Sequence, residues 1–191
     1  MKIILTGILA SFFCLLPGGS AIAESGAGIE FEVTGSHGYA AWDKGKEKFQ
    51  TNEARVAVHK QLGDLPLSLG LSAGKLNIAG IPDSVGRAEG YDLAIEAKAW
   101  LPSEVTGSDN FRPFIRLAHT GYSQFEFRAG GDKIRGPNEG LTAGLGALYR
   151  FTDSTGASLE YSYQQKAMKF SGQDRQGYKS HGITLGLAHR I

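Results

Sequence analysis

The sequence predicts an all-β protein whose eight antiparallel strands form a closed up-and-down barrel. Apolar and small or charged residues alternate through most of the chain, as in residues 141–151, 158–163 and 183–191. Because successive side chains of a strand point to opposite faces, this period of two indicates strands. Glycine is abundant, with 27 of 191 residues, and the usual share is only about 7 %. Closely packed strands around a narrow centre explain that excess.

The eight predicted strands follow one another with turn-forming residues between them. They cover about residues 28–42, 51–62, 66–74, 90–101, 111–122, 141–151, 158–163 and 183–191. The pattern changes phase near Lys75, which indicates either a β-bulge or the edge of a membrane. Pro113 argues against a central strand of the sheet at this point and favours a place near a rim.

The connections between the predicted strands alternate in length. Short links of roughly four to nine residues alternate with longer links of roughly eight to 17 residues, a pattern typical of outer-membrane barrels, with short periplasmic turns and four longer extracellular loops. The even strand number leaves both termini on the periplasmic side. The sequence therefore predicts a transmembrane barrel.

The N-terminus resembles a cleaved secretory signal over residues 1–23, followed by one domain over residues 24–191. Lys2 precedes an apolar stretch, and Ala21-Ile22-Ala23 fits a cleavage site. A membrane anchor is the alternative, but the apolar stretch is shorter than the ~20 residues of a spanning helix. A lipoprotein is a weaker alternative, because Cys14 lies inside the apolar stretch.

The remaining chain has balanced charge and no cysteine. Cys14 is the only cysteine, so the predicted mature chain has no disulfide and no thiolate metal site. The sequence contains 20 Lys and Arg and 19 Asp and Glu; removing Lys2 leaves 19 of each. This neutrality argues against a nucleic-acid partner.

The alternation alone does not say which face points into the barrel. A soluble lipocalin-like carrier would have its apolar face inside. Three features favour the membrane orientation: the polar face is rich in small residues, the apolar face recurs on every strand, and aromatic residues cluster near strand ends. These are Tyr39, Tyr91, Phe111, Tyr149, Phe151, Tyr163 and Phe170.

The strand pattern resembles the eight-stranded outer-membrane barrels of the OmpA transmembrane-domain and opacity-protein type. The stretches 140–151, 159–163 and 182–191 carry the resemblance. It implies Sec-type export to a Gram-negative outer membrane, a monomer surrounded by lipid and lipopolysaccharide, and insertion by the assembly machinery through the C-terminal strand. Two departures are Ile191, where an aromatic residue is usual, and the lack of a C-terminal peptidoglycan-binding domain. No cofactor is implied.

The inward-facing charges predict an ion-pair network that fills the lumen. Its predicted members are Glu30, Glu32, Arg55, Glu96, Lys98, Arg112, Arg116, Arg150, Glu160 and Arg190. A turn centred on Thr106 would place Glu96 opposite Arg116, closure of the barrel would bring Glu30 or Glu32 near Arg190, and Glu160 lies within a diagonal step of Arg150. A gate or proton path is the alternative function of these charges.

Basic residues also occur in the predicted external loops. Contacts with lipopolysaccharide phosphates are predicted for them, with ordinary solvated charge as the alternative. They are Arg128, Lys133, Arg135, Lys166, Lys169, Arg175 and Lys179.

The histidines do not predict an active site. Outer-membrane lipid A deacylases are also eight-stranded, with a His and a Ser two residues apart. Here His119 is followed at that spacing by Gly121, which argues against this chemistry. The five histidines lack ligand spacing, so no metal site is expected.

We therefore expect a non-enzymatic role in envelope integrity or in surface contact and adhesion through the loops. A lipid A-modifying enzyme, a small porin and a soluble periplasmic carrier are the alternatives.

Overall fold

The computed structural model describes residues 28–43, 48–79, 87–129, 132–136, 138–168 and 176–191. Within these residues it contains nine strands and one short helix. The strands are β1 Ile29–Trp42, β2 Lys48–Gln61, β3 Leu67–Ala79, β4 Arg87–Trp100, β5 Phe111–Ala129, β6 Asp132–Gly136, β7 Asn138–Arg150, β8 Thr155–Met168 and β9 Gln176–Arg190. The helix α1, Ser103–Thr106, lies in the β4–β5 connection. The predicted signal segment, residues 1–23, and Phe170 lie outside the described residues.

The strands form one closed antiparallel ring of eight positions, which confirms the predicted fold class. The hydrogen-bonded order is β4-β3-β2-β1-β9-β8-β7-β5, and pairing of β4 with β5 closes it. Within the described ranges, strand β6 pairs with the end of β5 alone and continues the line of β7. Following paired residues once around the barrel leads from Ala99 to Glu89, ten residues along the same strand. Such stagger requires strands tilted by about 40° and leaves an interior filled by side chains.

The strands are longer than the predicted ones. Each of the eight main strands has 13 to 19 residues, whereas about 9–11 tilted residues cross a bilayer. The extra residues lie at the end of the barrel opposite α1, where β5 continues to Ala129. Much of the length predicted as external loops is therefore strand, and only residues 130–131 separate β5 from β6.

The outward face carries the apolar residues predicted to face lipid. Leu71, Ile95, Leu117, Leu145 and Leu185 are each at least 60 % exposed, while their neighbours point inward. Exposed tyrosines such as Tyr39 and Tyr91 lie at one edge of this band. Phe111, Tyr149 and Phe151 lie at the other edge. Among the described residues, no helix is long and apolar enough to span a membrane.

The polarity of the two faces reverses along β3. Leu71 faces outward, but Leu76 and Ile78 face inward and are buried, with Lys75 and Asn77 outside. The register with both neighbouring strands continues without interruption through Lys75. Of the two explanations for the phase change, the bulge is therefore wrong, and the edge of the lipid band fits. The register irregularity lies instead in β5. Thr120 and Tyr122 pair with consecutive residues of β4, so Gly121 between them is an extra residue with no β4 partner.

An apolar cluster fills the barrel above this edge. Its buried members are Ala40, Phe49, Leu76, Ile78, Phe125, Met168 and Tyr178, with Trp42 packed against them. The rings of Phe49 and Tyr178 meet edge to face with centroids 5.7 Å apart. Because water surrounds this part of the barrel, the cluster acts as the core of an ordinary soluble protein.

We expect Phe125→Ala to lower the free energy of unfolding by about 3–5 kcal/mol, because it leaves a cavity in the apolar cluster. The control is Phe111→Ala, which trims a ring that is 46 % exposed; lipid replaces its contacts, so the loss is less than half as large. Urea unfolding in vesicles, followed by tryptophan fluorescence, measures both. Equal losses would contradict the assignment of the cluster as a core.

Candidate functional site

The interior of the barrel is divided into layers of ion pairs, and each layer is built by side chains from several strands. The uppermost pairs lie below the apolar cluster. Arg55 contacts Glu53 and lies 2.5 Å from an Asp92 carboxylate oxygen. The Lys166 Nζ atom is 3.3 Å from the second oxygen of Asp92. The carboxylates of Glu53 and Asp92 are thus balanced by the cations of Arg55 and Lys166.

The central layer is organised around Arg116. This guanidinium donates two hydrogen bonds to Glu160, at 2.8 and 2.6 Å, and reaches Glu96 at 3.4 Å. Glu96 also accepts a hydrogen bond from Ser72 at 2.5 Å and lies 3.1 Å from His59 Nε2. The two-bond contact is the geometry in which arginine and carboxylate interact most strongly.

Gly144 makes room for the Arg116–Glu160 pair. A Cβ atom at this position would lie 2.3 Å from a Glu160 carboxylate oxygen. Because that distance is far below van der Waals contact, a side chain at 144 would displace the carboxylate.

The lower layer combines charge with aromatic rings. Lys98, which is 1 % exposed, donates a hydrogen bond to Glu32. Its ammonium lies 5.0 Å from the centroid of the Phe114 ring and 5.7 Å from that of Trp100. Ser158 donates a further hydrogen bond of 2.9 Å to Glu32. A buried ammonium thus has a carboxylate and two ring faces as partners.

The bottom of the lumen, next to the β4–β5 turn, contains three arginines. Arg150 donates a 2.6 Å hydrogen bond to Glu30. The Arg112 guanidinium is stacked 4.9 Å from the Trp100 ring centroid. Arg190 is the cross-strand neighbour of Glu30 and lies against the backbone of Gly28.

The structure places all ten predicted network residues inside the barrel, but the pairs differ from the predicted ones. Strand β4 pairs with β5 so that Lys98, not Glu96, lies opposite Arg116. The turn is therefore centred on Gly107 rather than Thr106, because α1 occupies its first half. The predicted contact between Glu96 and Arg116 persists because a two-residue shift keeps both on the same face.

Two other predicted pairs have different partners. Glu160 contacts Arg116 and not Arg150, whereas Arg150 contacts Glu30. Glu30 therefore bonds across the barrel to Arg150, although Arg190 is its register partner. The length and direction of the side chains decide which guanidinium each carboxylate contacts. The strand register alone does not specify these ion pairs.

Sequence reasoning missed four members of the network. They are Glu53, His59, Asp92 and Lys166. Glu53 and His59 have the same strand parity as Arg55, and Asp92 has the same parity as Glu96, so the alternation contained the information.

Lys166 corrects the predicted lipopolysaccharide contacts. It was expected in an external loop, but β8 extends to Met168, and Lys166 points inward with 2 % of its surface exposed. Lys179 does face outward on β9 and lies 3.9 Å from Asp43. Lys169 and Arg175 lie outside the described residues, as do the side chains of Arg128, Lys133 and Arg135.

The outer surface near Lys179 carries a cluster of histidine and tyrosine side chains. The Tyr161 hydroxyl lies 2.6 Å from His181 Nδ1, and the Tyr163 ring centroid is 5.0 Å from that of His181. On the adjacent strands, His37 Nδ1 lies 2.8 Å from the Asn52 side-chain oxygen. These groups follow the upper edge of the apolar band.

The stretch compared with deacylases has its polar groups on opposite faces. His119 points outward, whereas Ser123 is buried and donates a 2.5 Å hydrogen bond to the Asn138 carbonyl. Within the described part of the chain, no group of three or more His, Cys, Asp or Glu residues is arranged to hold a metal ion.

Comparisons with known proteins agree with this geometry. The family described as "Outer membrane protein beta-barrel domain" matches residues 8–190. No curated protein sequence matches the chain.

Solved structures with a similar fold include three bacterial barrels. The Neisserial surface protein A is 14 % identical, with a TM-score of 0.67, covering 87 % of this chain and 98 % of its own. OprG of Pseudomonas aeruginosa is 12 % identical, with a TM-score of 0.53 and coverages of 86 % and 96 %. The attachment invasion locus protein Ail of Yersinia pestis is 10 % identical, with a TM-score of 0.53 and coverages of 87 % and 99 %.

We expect Arg116→Met to lower the free energy of unfolding by about 3–5 kcal/mol, because it leaves Glu96 and Glu160 buried without their shared cation. Lys75→Met is the control, since it removes the cation of the exposed Lys75–Glu89 pair. That loss is within about 0.5 kcal/mol. Urea unfolding of both variants in vesicles gives the comparison, and an Arg116→Met barrel as stable as the control would refute a stabilising role for this pair.

Proposed function

Because this chain belongs to the family of outer-membrane β-barrel proteins, we propose that it is a closed barrel without a conducting lumen and acts through its outer rim. The proposal rests mainly on the filled interior. Ion pairs cross the lumen at several heights, and the apolar cluster lies above them. An ion entering from outside would have to displace the packed side chains of Phe49, Phe125 and Tyr178.

A non-enzymatic role fits the distribution of nucleophiles and bases. His119 and Ser123 lie on opposite faces, so they do not form a nucleophile–base pair. Glu96, His59 and Arg116 are in contact, but they are buried inside the barrel and their hydrogen bonds are directed to one another.

The proposed role is envelope integrity or surface contact, including adhesion, through the external end of the barrel. The strands reach well beyond the lipid band, and a rigid apolar core supports them there. Such a scaffold holds connecting segments in fixed positions at the cell surface. The name of Ail includes attachment and invasion, but its likeness to this chain concerns the fold, and the fold alone does not define a ligand.

The outer rim has the chemistry to contact lipopolysaccharide. Lys179 supplies a cation whose side chain is 53 % exposed, and His181, His37 and Asn52 lie along the same edge of the apolar band. Phosphate groups of the outer leaflet lie at this height, where lysine and hydrogen-bond donors bind them. Among the residues that the structure describes, the carboxylate that Lys179 reaches is that of Asp43, at 3.9 Å, so its ammonium retains donors for a phosphate.

We expect the refolded wild-type protein to give no stable ion conductance in planar bilayers. Refolding is checked by heat-modifiable migration on a gel, and a large porin in the same bilayer serves as the positive control. Discrete, long-lived conductance steps from the refolded protein would exclude a sealed lumen and favour the small-porin alternative.

We expect Lys179→Gln to weaken lipopolysaccharide binding by about three- to tenfold, because it removes a charge-assisted contact to phosphate. Lys60→Gln is the matched control: it also removes an exposed lysine charge, but at the opposite end of the barrel. Binding is measured by titrating lipopolysaccharide into the detergent-folded protein. If both variants bind as wild type does, the charge at Lys179 is simply solvated.

A further inference from the structure

The bottom of the lumen has more positive charge than its carboxylates neutralise. Arg112, Arg150 and Arg190 line one small cavity there with Glu30. Glu30 forms its ion pair with Arg150. In the described portion of the chain, no carboxylate forms an ion pair with Arg112 or Arg190. Glu30, and Asp109 in the exposed turn before β5, interact electrostatically with Arg112 without forming an ion pair with it.

The two arginines without an ion pair are held in place by other contacts. The face of the Arg112 guanidinium lies over the Trp100 ring. Stacking uses the face of a guanidinium and leaves the N–H groups at its edge available to an acceptor. Arg190 is fixed against the Gly28 backbone beside Glu30. Both cations are therefore held at the cavity before any ligand arrives.

Two buried polar atoms at the same cavity have no hydrogen-bond partner among the residues that the structure describes. They are the Ser68 hydroxyl and His59 Nδ1, on residues that are 4 % and 1 % exposed. Both residues line the cavity. Buried polar atoms in native proteins nearly always have a hydrogen-bond partner. Two such atoms without one at the same cavity therefore indicate that a small species binds there. The cavity volume of about 20 Å³ is enough for one water molecule or one small ion.

We propose that this cavity is a binding site for a small inorganic anion, and chloride is the member of that class that fits its size. The anion accepts hydrogen bonds from the edges of Arg112 and Arg190 and from the Ser68 hydroxyl. It also offsets part of the charge of three arginines that face one carboxylate. Water alone would accept the same hydrogen bonds but would leave that charge in place.

The test is the line width of the chloride-35 NMR signal with the full chain folded in detergent. Wild type is expected to broaden the line, and the broadening saturates as chloride replaces gluconate at constant ionic strength. We expect the double variant Arg112→Gln/Arg190→Gln to reduce the broadening at least about fivefold, because it removes both unpaired cations. The control Lys60→Gln/Lys75→Gln removes two lysine charges on the outer face, has the same charge change and retains wild-type broadening.

A neutral substitution separates binding from folding. Ser68→Ala keeps the charge and removes one donor, and we expect it to weaken chloride binding about three- to tenfold in a barrel that still shows heat-modifiable migration. Absence of saturable broadening in the wild type would mean that the cavity holds water, and the proposal would fail. Equal broadening in the double-arginine variant and the lysine control would place chloride elsewhere and overturn it too.

Discussion

The constraint on which this structure depends is the need to pair every backbone amide and carbonyl that lies in lipid. A hydrocarbon layer offers no hydrogen bonds, so an open sheet edge there would be very costly. Pairing of β4 with β5 removes the last edge and makes the sheet a ring. The period of two then sends half of each strand outward to lipid and half into a narrow interior. Charges in that interior must find partners inside the barrel, which explains why its ion pairs join strands distant in sequence.

The same strands pass through two environments, and their side chains change with the surroundings. In the lipid band the outside is apolar and the inside is polar or charged, as Leu71 and Ser72 illustrate, the latter donating a hydrogen bond to Glu96. Above the band Leu76 and Ile78 turn into the core while Lys75 and Asn77 meet water. The backbone continues without a break, so the reversal is made by the sequence alone. The interior consequently holds an apolar cluster beyond the lipid band and ion pairs at its centre.

The alternation was sufficient to predict the fold and the inward face of the ten predicted network residues, but not the partners of those charges. Parity fixes whether a residue points inward, so Glu96 and Arg116 were correctly placed on one face. Their partners depend on register, which the turns determine. Helix α1 moved the centre of one turn from Thr106 to Gly107. Lys166 was misplaced for a different reason: its strand continues beyond the last apolar residue that marked it, and polar residues at the end of a strand resemble a loop.

The ion pairs also select one register among those that the alternation permits. Moving a strand by two residues keeps every side chain on its own face, so hydrophobic burial barely distinguishes the two alignments. Such a shift of β7 would move Gly144 away from Glu160 and bring a different residue against the carboxylate. Separating Glu160 from Arg116 would leave the Glu160 carboxylate buried without its guanidinium partner, while Arg116 would keep only its longer contact with Glu96, and an unpaired buried charge is strongly destabilising. Buried charge therefore costs stability relative to an apolar interior. It destabilises the shifted strand registers even more, so the barrel closes in one register.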